Sequence, residues 1–377
     1  LKLFAGDFAT PGTSVAPTLY PSIQQTEANM SLSTQLRTPT VETEFVGIPE
    51  TQLVVSRVAL GTWAMGGWMW GGTDMRESVA TIHAALSQGI NLIDTAPAYG
   101  SGVSEEIVGA ALEGVRSQAV IATKTGLEWR DGKIYRNATR ARIMQEVDDS
   151  LRRLRTDYID IYQVHWPDPR VPVEETAAAM RSLFEQGKIR AVGVSNFSVD
   201  QMERFRQVAP LHVLQSPYNL FERDIDAKIL PYARAKGITT LGYGALCRGL
   251  LSGRMRADTT FDGDDLRHID PKFQQPRFSQ YLEAVRQLDE LAQRRFHRRV
   301  IHLAVRWMLD QGISVALWGG RHPDQVEAAL GVDGWSLNAL HRELIECIVN
   351  MAVVDPVGPE FMAPPQRPLP PAFLAEK

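Results

Sequence analysis

The chain has 377 residues, 44% of them hydrophobic and 22% charged, which excludes disorder throughout and leaves ample length for a sizeable core. Forty basic and 44 acidic residues give a formal charge of −4 with the two signs interspersed, which argues against nucleic acid or anionic lipid as a partner. Two cysteines, Cys247 and Cys347, without CxxC or zinc spacing, exclude a disulfide framework and a structural metal and suit a reducing cytoplasm; no apolar run approaches the roughly 20 residues of a membrane helix.

In chain order, residues 1–40 read as a disordered extension. Leu1 to Met30 are rich in Pro, Thr, Ser, Ala and Gln, show no stable period, and lack the basic start and apolar stretch of a signal peptide. Met30 stands just ahead of the patterned region, so residues 1–29 read as upstream of it. Glu44 to Val55, centred on Gly47-Ile-Pro-Glu50, predicts a β-hairpin placed to cover the bottom of a barrel. From there to residue 364, short apolar runs alternate with helix-length amphipathic stretches. The eight runs are Arg57 to Leu60, Ile90 to Ile93, Ala119 to Thr123, Tyr158 to Val164, Ile189 to Val194, Leu211 to Gln215, Ile238 to Gly242 and Ile313 to Leu317. Asp74 to Leu86 and Ala141 to Leu154 carry helical spacing between them. Eight such units predict an α/β fold, a (β/α)8 TIM barrel as one domain over residues 41–364. The connection Ala245 to Phe273, after the seventh strand, is far longer than a usual βα loop, a length associated with function. Ala363 to Pro371 favours polyproline II, so residues 365–377 read as a solvated Pro-rich tail rather than an SH3 ligand. A doubly wound sheet would need an early GxGxxG turn, which is lacking, as are a phosphate loop, HExxH and GxSxG.

Catalytic residues of such a barrel sit where strands end and loops begin. Asp94 follows Asn91-Leu-Ile93, Tyr99 lies five residues later, Lys124 ends Val120-Ile-Ala-Thr123, and His165 ends Ile159 to Val164. An ammonium beside a phenol favours the phenolate, so Lys124 is expected to lower the Tyr99 pKa, with Asp94 as counter-ion. His165 is expected to donate to a carbonyl oxygen or to share a proton with Tyr99. Together they predict an acid catalyst for carbonyl reduction. Trp63, Trp68, Met69 and Trp70, in the Gly-rich loop after the first strand, are expected to line a substrate pocket with Trp129. Cys247 reads as a small apolar filler without a redox role.

With these residues the chain resembles the aldo-keto reductase family, from about Glu44 to Pro364. The resemblance lies in Asp94-Thr-Ala-Pro-Ala-Tyr-Gly100, Lys124 after an apolar strand, Tyr158-Ile-Asp-Ile-Tyr-Gln-Val-His165 and Gly193-Val-Ser-Asn-Phe197, in family order. Gly242 to Gly253, Ala316 to Arg321 and Asp355 to Met362 look like a bacterial branch that includes general-stress and inositol-associated reductases.

The resemblance implies that Tyr99 is the general acid, tuned by Lys124 and Asp94, and that His165 orients the substrate carbonyl. It implies that Ser195, Asn196 and Gln215 bond the nicotinamide carboxamide, and that Tyr243 stacks on the ring. Gly244, Leu246, Arg248 and Gly249 would lie along the pyrophosphate, the last two offering backbone amides or a guanidinium. Gly61, Thr62 and Trp63, after the first strand, and Gly319, after the last, join the cofactor set. Arg321 would meet the adenosine 2′-phosphate, with Gln325 beside it. NADPH/NADP+ is thereby favoured over NADH, although Gln325-Val-Glu-Ala-Ala329 replaces the family's frequent Gln-x-x-Glu-Asn and leaves the preference resting on Arg321 and Gln325.

The implied activity is hydride transfer from nicotinamide C4 to a small-molecule aldehyde or ketone, reversible as alcohol oxidation, with no metal. The alternative is an NADPH-binding regulatory or redox-sensing subunit resembling channel-associated β subunits. An unrelated barrel chemistry on phosphosugars would need the phosphate donors that the family reading gives to the cofactor. No heptad or self-complementary patch points to an oligomer, and fold and motif license a reaction class rather than a substrate.

Overall fold

The computed structural model describes residues 43–368, so the disorder expected of residues 1–40 and the end of the tail lie outside the described residues. Strands β1 (Phe45–Gly47) and β2 (Val54–Ser56) pair antiparallel as the expected hairpin. Eight strands then form a closed parallel barrel in chain order: β3 (Val58–Gly61), β4 (Leu92–Asp94), β5 (Val120–Thr125), β8 (Ile159–Val164), β9 (Ile189–Ser195), β10 (Val213–Pro217), β11 (Thr239–Tyr243) and β12 (Val315–Gly319). The TIM barrel expected from the alternation is therefore the observed architecture. No described helix is long and apolar enough to cross a membrane.

The inward residues form two kinds of layer. Ala59, Leu92, Ala122, Ile161, Ala191, Val213, Leu241 and Val315 fill the barrel, and Ile48, Leu53 and Val55 of the hairpin close this core from below. The outward residues of the same strands, such as Ile121, Tyr162, Val192 and Leu214, pack against the surrounding helices. Asp94, Lys124, Gln163, Ser195 and Gln215 share the inward face at the upper end, where apolar filling stops.

All barrel strands but β9 start one or two residues later than the apolar runs that announced them, and at β4, β11 and β12 the reason is local. Ile90, Ile238 and Ile313 close the preceding helices instead, their N–H groups donating to Ala85, Ala233 and Met308 carbonyls at 3.0, 2.9 and 3.2 Å. The glycine before each, Gly89, Gly237 or Gly312, is left-handed, so each isoleucine ends a Schellman motif and is apolar without being in a ladder. Helix starts follow their caps: Asp74 accepts from Glu77 N at α1 (Met75–Ser87), and Thr139 from Arg142 N at the helix Arg140–Leu154.

Two segments depart from expectation. After β5 the chain folds into a second hairpin, β6 (Leu127–Arg130) and β7 (Lys133–Arg136). Asp131 and Gly132 both have positive φ in its turn, the Asp-Gly signature of a tight hairpin. The Pro-rich segment is not a free tail from residue 365. Arg136 donates from Nε to the Pro364 carbonyl at 2.7 Å and from its backbone N–H to that of Pro365 at 3.0 Å, and Arg367 reaches Asp168 at 3.1 Å. A polyproline II strand makes no internal hydrogen bonds, so its carbonyls are open to such donors.

Candidate active site

Strand ends bring the four expected polar side chains together. Asp94 closes β4, Lys124 lies on β5 in register with Gln163 of β8, and His165 follows that strand directly. Tyr99 sits in the turn after β4, and its backbone packs so closely on the Trp63–Gly66 turn that a Cβ on Gly66 would lie 2.7 Å from the Tyr99 carbonyl carbon. Only glycine allows that approach.

Lys124 is fully buried, and its ammonium donates to both Asp94 oxygens at 2.8 and 2.9 Å and to the Thr95 carbonyl at 2.9 Å, with Tyr99 Oη at 3.2 Å. Burial lowers the lysine pKa, and the Asp94 charge opposes that. The Tyr99 phenol is driven the other way from expectation, well above its ordinary value, by burial and by the Asp94 carboxylate. Lys124 does not produce the expected phenolate because Asp94 takes up its charge. Tyr99 is consequently a neutral phenol with a proton to give. Burial, reinforced by the Lys124 charge, holds His165 well below the usual histidine range, so its ring is neutral; it stands edge-on to Tyr99 with centroids 5.8 Å apart.

The amide side chains extend this network. Gln215 donates to Asp94 Oδ1 at 2.8 Å, and Asn196 donates to the His165 carbonyl and to Ser195 Oγ, both at 3.0 Å. Tyr243 Oη donates to Asn196 Oδ1 at 2.9 Å. Asn196 is left-handed with φ 63°, a conformation asparagine tolerates better than most residues.

Two cavities meet at Tyr99. One of about 360 Å³ includes Trp63, Trp68, His165, Ser195, Asn196 and Gln215 in its lining. The other, of about 500 Å³, runs past Gly61, Gly244, Leu246, Arg248 and Gly249 to Gly319, Arg321 and Gln325. Trp63, Tyr99, Tyr243 and Met362 line both. The longer cavity is elongated and glycine-bordered, carries Arg254 and Arg321 with Arg267, whose Nε and Nη2 are held by Asp265, and contains Trp70, whose buried Nε1 has no partner among the described residues. That donor set fits a dinucleotide with anionic phosphates.

Several expected residues are placed differently. Thr62 lines neither cavity; its hydroxyl is buried and bonds the Asp94 carbonyl at 2.9 Å and Ser104 Oγ at 2.7 Å, so it braces β3 against β4. Trp70 lines the longer cavity, not the smaller one, because its loop turns back across Trp63, whose ring it meets edge-on at 5.4 Å. Trp129 lines neither and backs Trp68 edge-on at 4.9 Å. Arg248 borders the longer cavity, yet its guanidinium is buried against Glu222 and Asp270, the latter at 2.5 Å, leaving only its backbone for a phosphate. Arg321 presents Nη1 to the Trp70 carbonyl at 2.8 Å, and its backbone N–H bonds Gln325 Oε1 at 3.0 Å.

Sequence reasoning missed Ile134 and Trp166 on the smaller cavity; it expects the C-terminal segment and the long loop after the seventh strand to shape the pocket, but it does not name Phe361–Pro365, Arg254 or Arg267. The Asp131-Gly132 turn signalled the hairpin that carries Ile134, and the basic composition of the long loop pointed to the arginines. The Asp355 to Met362 motif points to the C-terminal stretch, but nothing local says which of its residues reach the cavity.

Comparison with known proteins shows what this geometry accompanies elsewhere. The model of the aldo/keto reductase family matches residues 57–340. The chain is 60% identical over 327 residues to the aldo-keto reductase YhdN of Bacillus subtilis (strain 168), covering 86% of this chain and 99% of that protein. It is 36% identical to an NADH-specific methylglyoxal reductase of Escherichia coli (strain K12), covering 79% and 97%. The structure of a glycerol dehydrogenase from Gluconobacter oxydans superposes with a TM-score of 0.78 at 53% identity, covering 85% of this chain and 99% of that one.

Proposed function

The chain belongs to the aldo/keto reductase family of nicotinamide-dependent oxidoreductases, and from that premise we propose that it reduces an aldehyde or ketone with NADPH, Tyr99 giving the proton. The observation that carries this reading is the place of Tyr99: a neutral phenol at the junction of the two cavities, 3.2 Å from the Lys124 ammonium. When bound, the reduced nicotinamide supplies a hydride to the carbonyl carbon.

The chain's own residues do the rest. Ser195, Asn196 and Gln215, on the smaller cavity, would hold the carboxamide and Tyr243, which lines both cavities, would stack on the ring, so the nicotinamide would lie at the junction beside Tyr99 with the carbonyl in the rest of the smaller cavity. Neutral His165 orients the carbonyl oxygen toward Tyr99 Oη. As that oxygen gains charge it draws the phenolic proton, and the Lys124 ammonium, held by Asp94, stabilises the phenolate left behind. Gly61, Trp63, Gly244, Leu246, Gly249 and the Arg248 backbone would border the phosphates, and Gly319, Arg321 and Gln325 would receive the adenosine end. The Arg321 fork supports NADPH as the preferred partner, whereas the relative from Escherichia coli is NADH-specific, so cofactor choice is part of the test. The 60% identity to the Bacillus protein supports a bacterial branch of the family. The domain reading is one barrel from residue 41 with its C-terminal segment, and two unpaired cysteines support a cytoplasmic location.

The test follows absorbance loss of NADPH and of NADH with a panel of aldehydes and ketones, in wild type and Tyr99→Phe, alongside cofactor binding by fluorescence. Tyr99→Phe is expected to lose on the order of 10²–10⁴ in turnover while NADPH still binds, and NADPH is expected to outpace NADH. Full turnover in Tyr99→Phe would remove Tyr99 from its role, and tight NADPH binding without turnover on any carbonyl would favour a non-catalytic subunit.

A further inference from the structure

The smaller cavity divides chemically into a floor and a wall. Tyr99, Ser195, Asn196, Gln215 and Tyr243 belong to the hydrogen-bonded network at the floor, and the His165 ring stands edge-on to Tyr99 beside them. Above them, among the described residues, the lining offers no side-chain oxygen, and its one charged side chain, Lys133, is exposed. Trp68, Leu127, Ile134, Trp166 and Phe361 are among the remaining lining residues. A substrate whose body carries hydroxyls would lose water there and find no side-chain acceptor among the described residues, only indole N–H groups and the exposed Lys133 as donors, whereas an apolar body would match the wall.

Part of that wall is not built by the barrel. Phe361 to Pro365 reach the cavity from the far end of the chain: Lys272 bonds the Gly358 carbonyl just ahead of them at 3.1 Å, the Arg248 guanidinium lies 5.6 Å from the Phe361 ring centroid, and Arg136 holds the Pro364–Pro365 end. Arg136, on β7, donates from Nε to the Pro364 carbonyl at 2.7 Å, from Nη1 to the Pro167 carbonyl at 3.2 Å and from its backbone to Pro365. Its guanidinium also lies over the Trp166 ring, 5.2 Å from the centroid. Arg136 therefore fastens three cavity elements to one another: the hairpin with Leu127 and Ile134, the turn just after His165, and the C-terminal segment. It does not line the cavity itself. Arg367 on Asp168 is a second, outer clasp.

We propose that this site prefers carbonyl compounds with an apolar, ring-sized body, and that Arg136 is the positioning residue that sets this preference by holding the C-terminal segment as the cavity's outer wall. The proposal rests on the reductase reading above.

The experiment compares cyclohexanecarbaldehyde with glyceraldehyde in steady-state kinetics on the full chain, for wild type, Arg136→Ala, Arg136→Lys and Arg367→Ala, with melting temperature and NADPH affinity measured in parallel. Wild type is expected to favour cyclohexanecarbaldehyde in kcat/KM by at least about 10-fold. Arg136→Ala is expected to raise KM for that aldehyde by about 10-fold while kcat at saturation, glyceraldehyde turnover and NADPH affinity stay within about 2-fold, the pattern of lost ground-state contact. Arg136→Lys should not restore the preference, because one ammonium cannot span the Pro364 and Pro167 carbonyls. Arg367→Ala, which leaves the inner clamp intact, should move KM in the same direction by less. Equal or better use of glyceraldehyde by wild type would overturn the substrate class. Parallel losses on both aldehydes in Arg136→Ala, or full rescue by Arg136→Lys, would overturn the role of Arg136. Absence of turnover on both aldehydes with NADPH bound would instead bring down the reductase reading itself, and the proposal with it.

Discussion

A fully buried lysine is tolerable at the base of this site because Asp94 gives it both carboxylate oxygens. The dependence is mutual, since Asp94 is itself almost fully buried and, among the described residues, has only Gln215 as a further side-chain donor. Lys124→Met keeps the volume and removes the charge, so it should cost about 3–5 kcal/mol of stability through the unpaired carboxylate and should also abolish carbonyl reduction. Guanidinium unfolding and turnover measured on the same preparation check this. A variant that loses stability but keeps its rate would make Lys124 purely structural. The residue types of this cluster were legible in the sequence because each ends an apolar run. The balance of charge among them was not, because it depends on contacts of 2.8–2.9 Å between β4 and β5 that the spacing does not encode. The same limit explains Thr62, Trp70 and Arg248. Each stands in a loop that faces the cavities, but the direction of its side chain is set by distant partners: Ser104 for Thr62, and Glu222 and Asp270 for Arg248.

Elements divide the barrel into a stability end and a chemistry end. The β1–β2 hairpin contributes Ile48 and Leu53 to the interior core, with exposures of only 2% and 8%, at the opposite end of the strands from Tyr99. Truncating either, as Ile48→Ala or Leu53→Ala, opens a cavity that β3 and its neighbours cannot collapse to fill. A loss of about 2–5 kcal/mol is expected, with kcat/KM unchanged at a temperature where the variants stay folded. A fall in kcat/KM under those conditions would mean that the plug shapes the site through the strands. The hairpin itself was legible from its turn sequence, and all eight barrel strands from their apolar runs, because both signals are local. Strand starts were displaced where an isoleucine closes a helix before the ladder begins, as at Ile90 N to Ala85 O. The docking of Pro364 and Pro365 on Arg136 was not legible at all, since polyproline II carries no sign of which donor its carbonyls meet.

At the scale of the whole molecule, histidines kept neutral by burial make the fold sensitive to mild acid. His165 by the catalytic floor, His212 at the start of β10 and His302 in the helix Val300–Asp310 all have pKa values pushed below the ordinary 6.5, with burial the largest cause in each. The unfolded chain protonates these rings near pH 6.5 and the folded chain does not, so the unfolded state binds more protons in that window. Stability is therefore unaffected by them above about pH 7 and falls as the pH drops from about 6.5 toward their folded values, by up to about 1.4 kcal/mol per pH unit for each ring. Glu105, Asp226 and Asp333 act against this at lower pH, because their folded pKa values are raised and the native state takes up their protons first. A difference measurement separates the two. His212 is the ring to remove, since it lies far from Tyr99 and its Nδ1 accepts only the Val192 N–H at 3.0 Å. His212→Asn should be less stable than wild type at pH 7.5, and the gap should narrow steadily at pH 6.5, 6.0 and 5.5, because only wild type carries that ring's acid penalty. A gap that stays constant across the four values would show that His212 titrates alike in both states and that the acid response of the fold lies elsewhere.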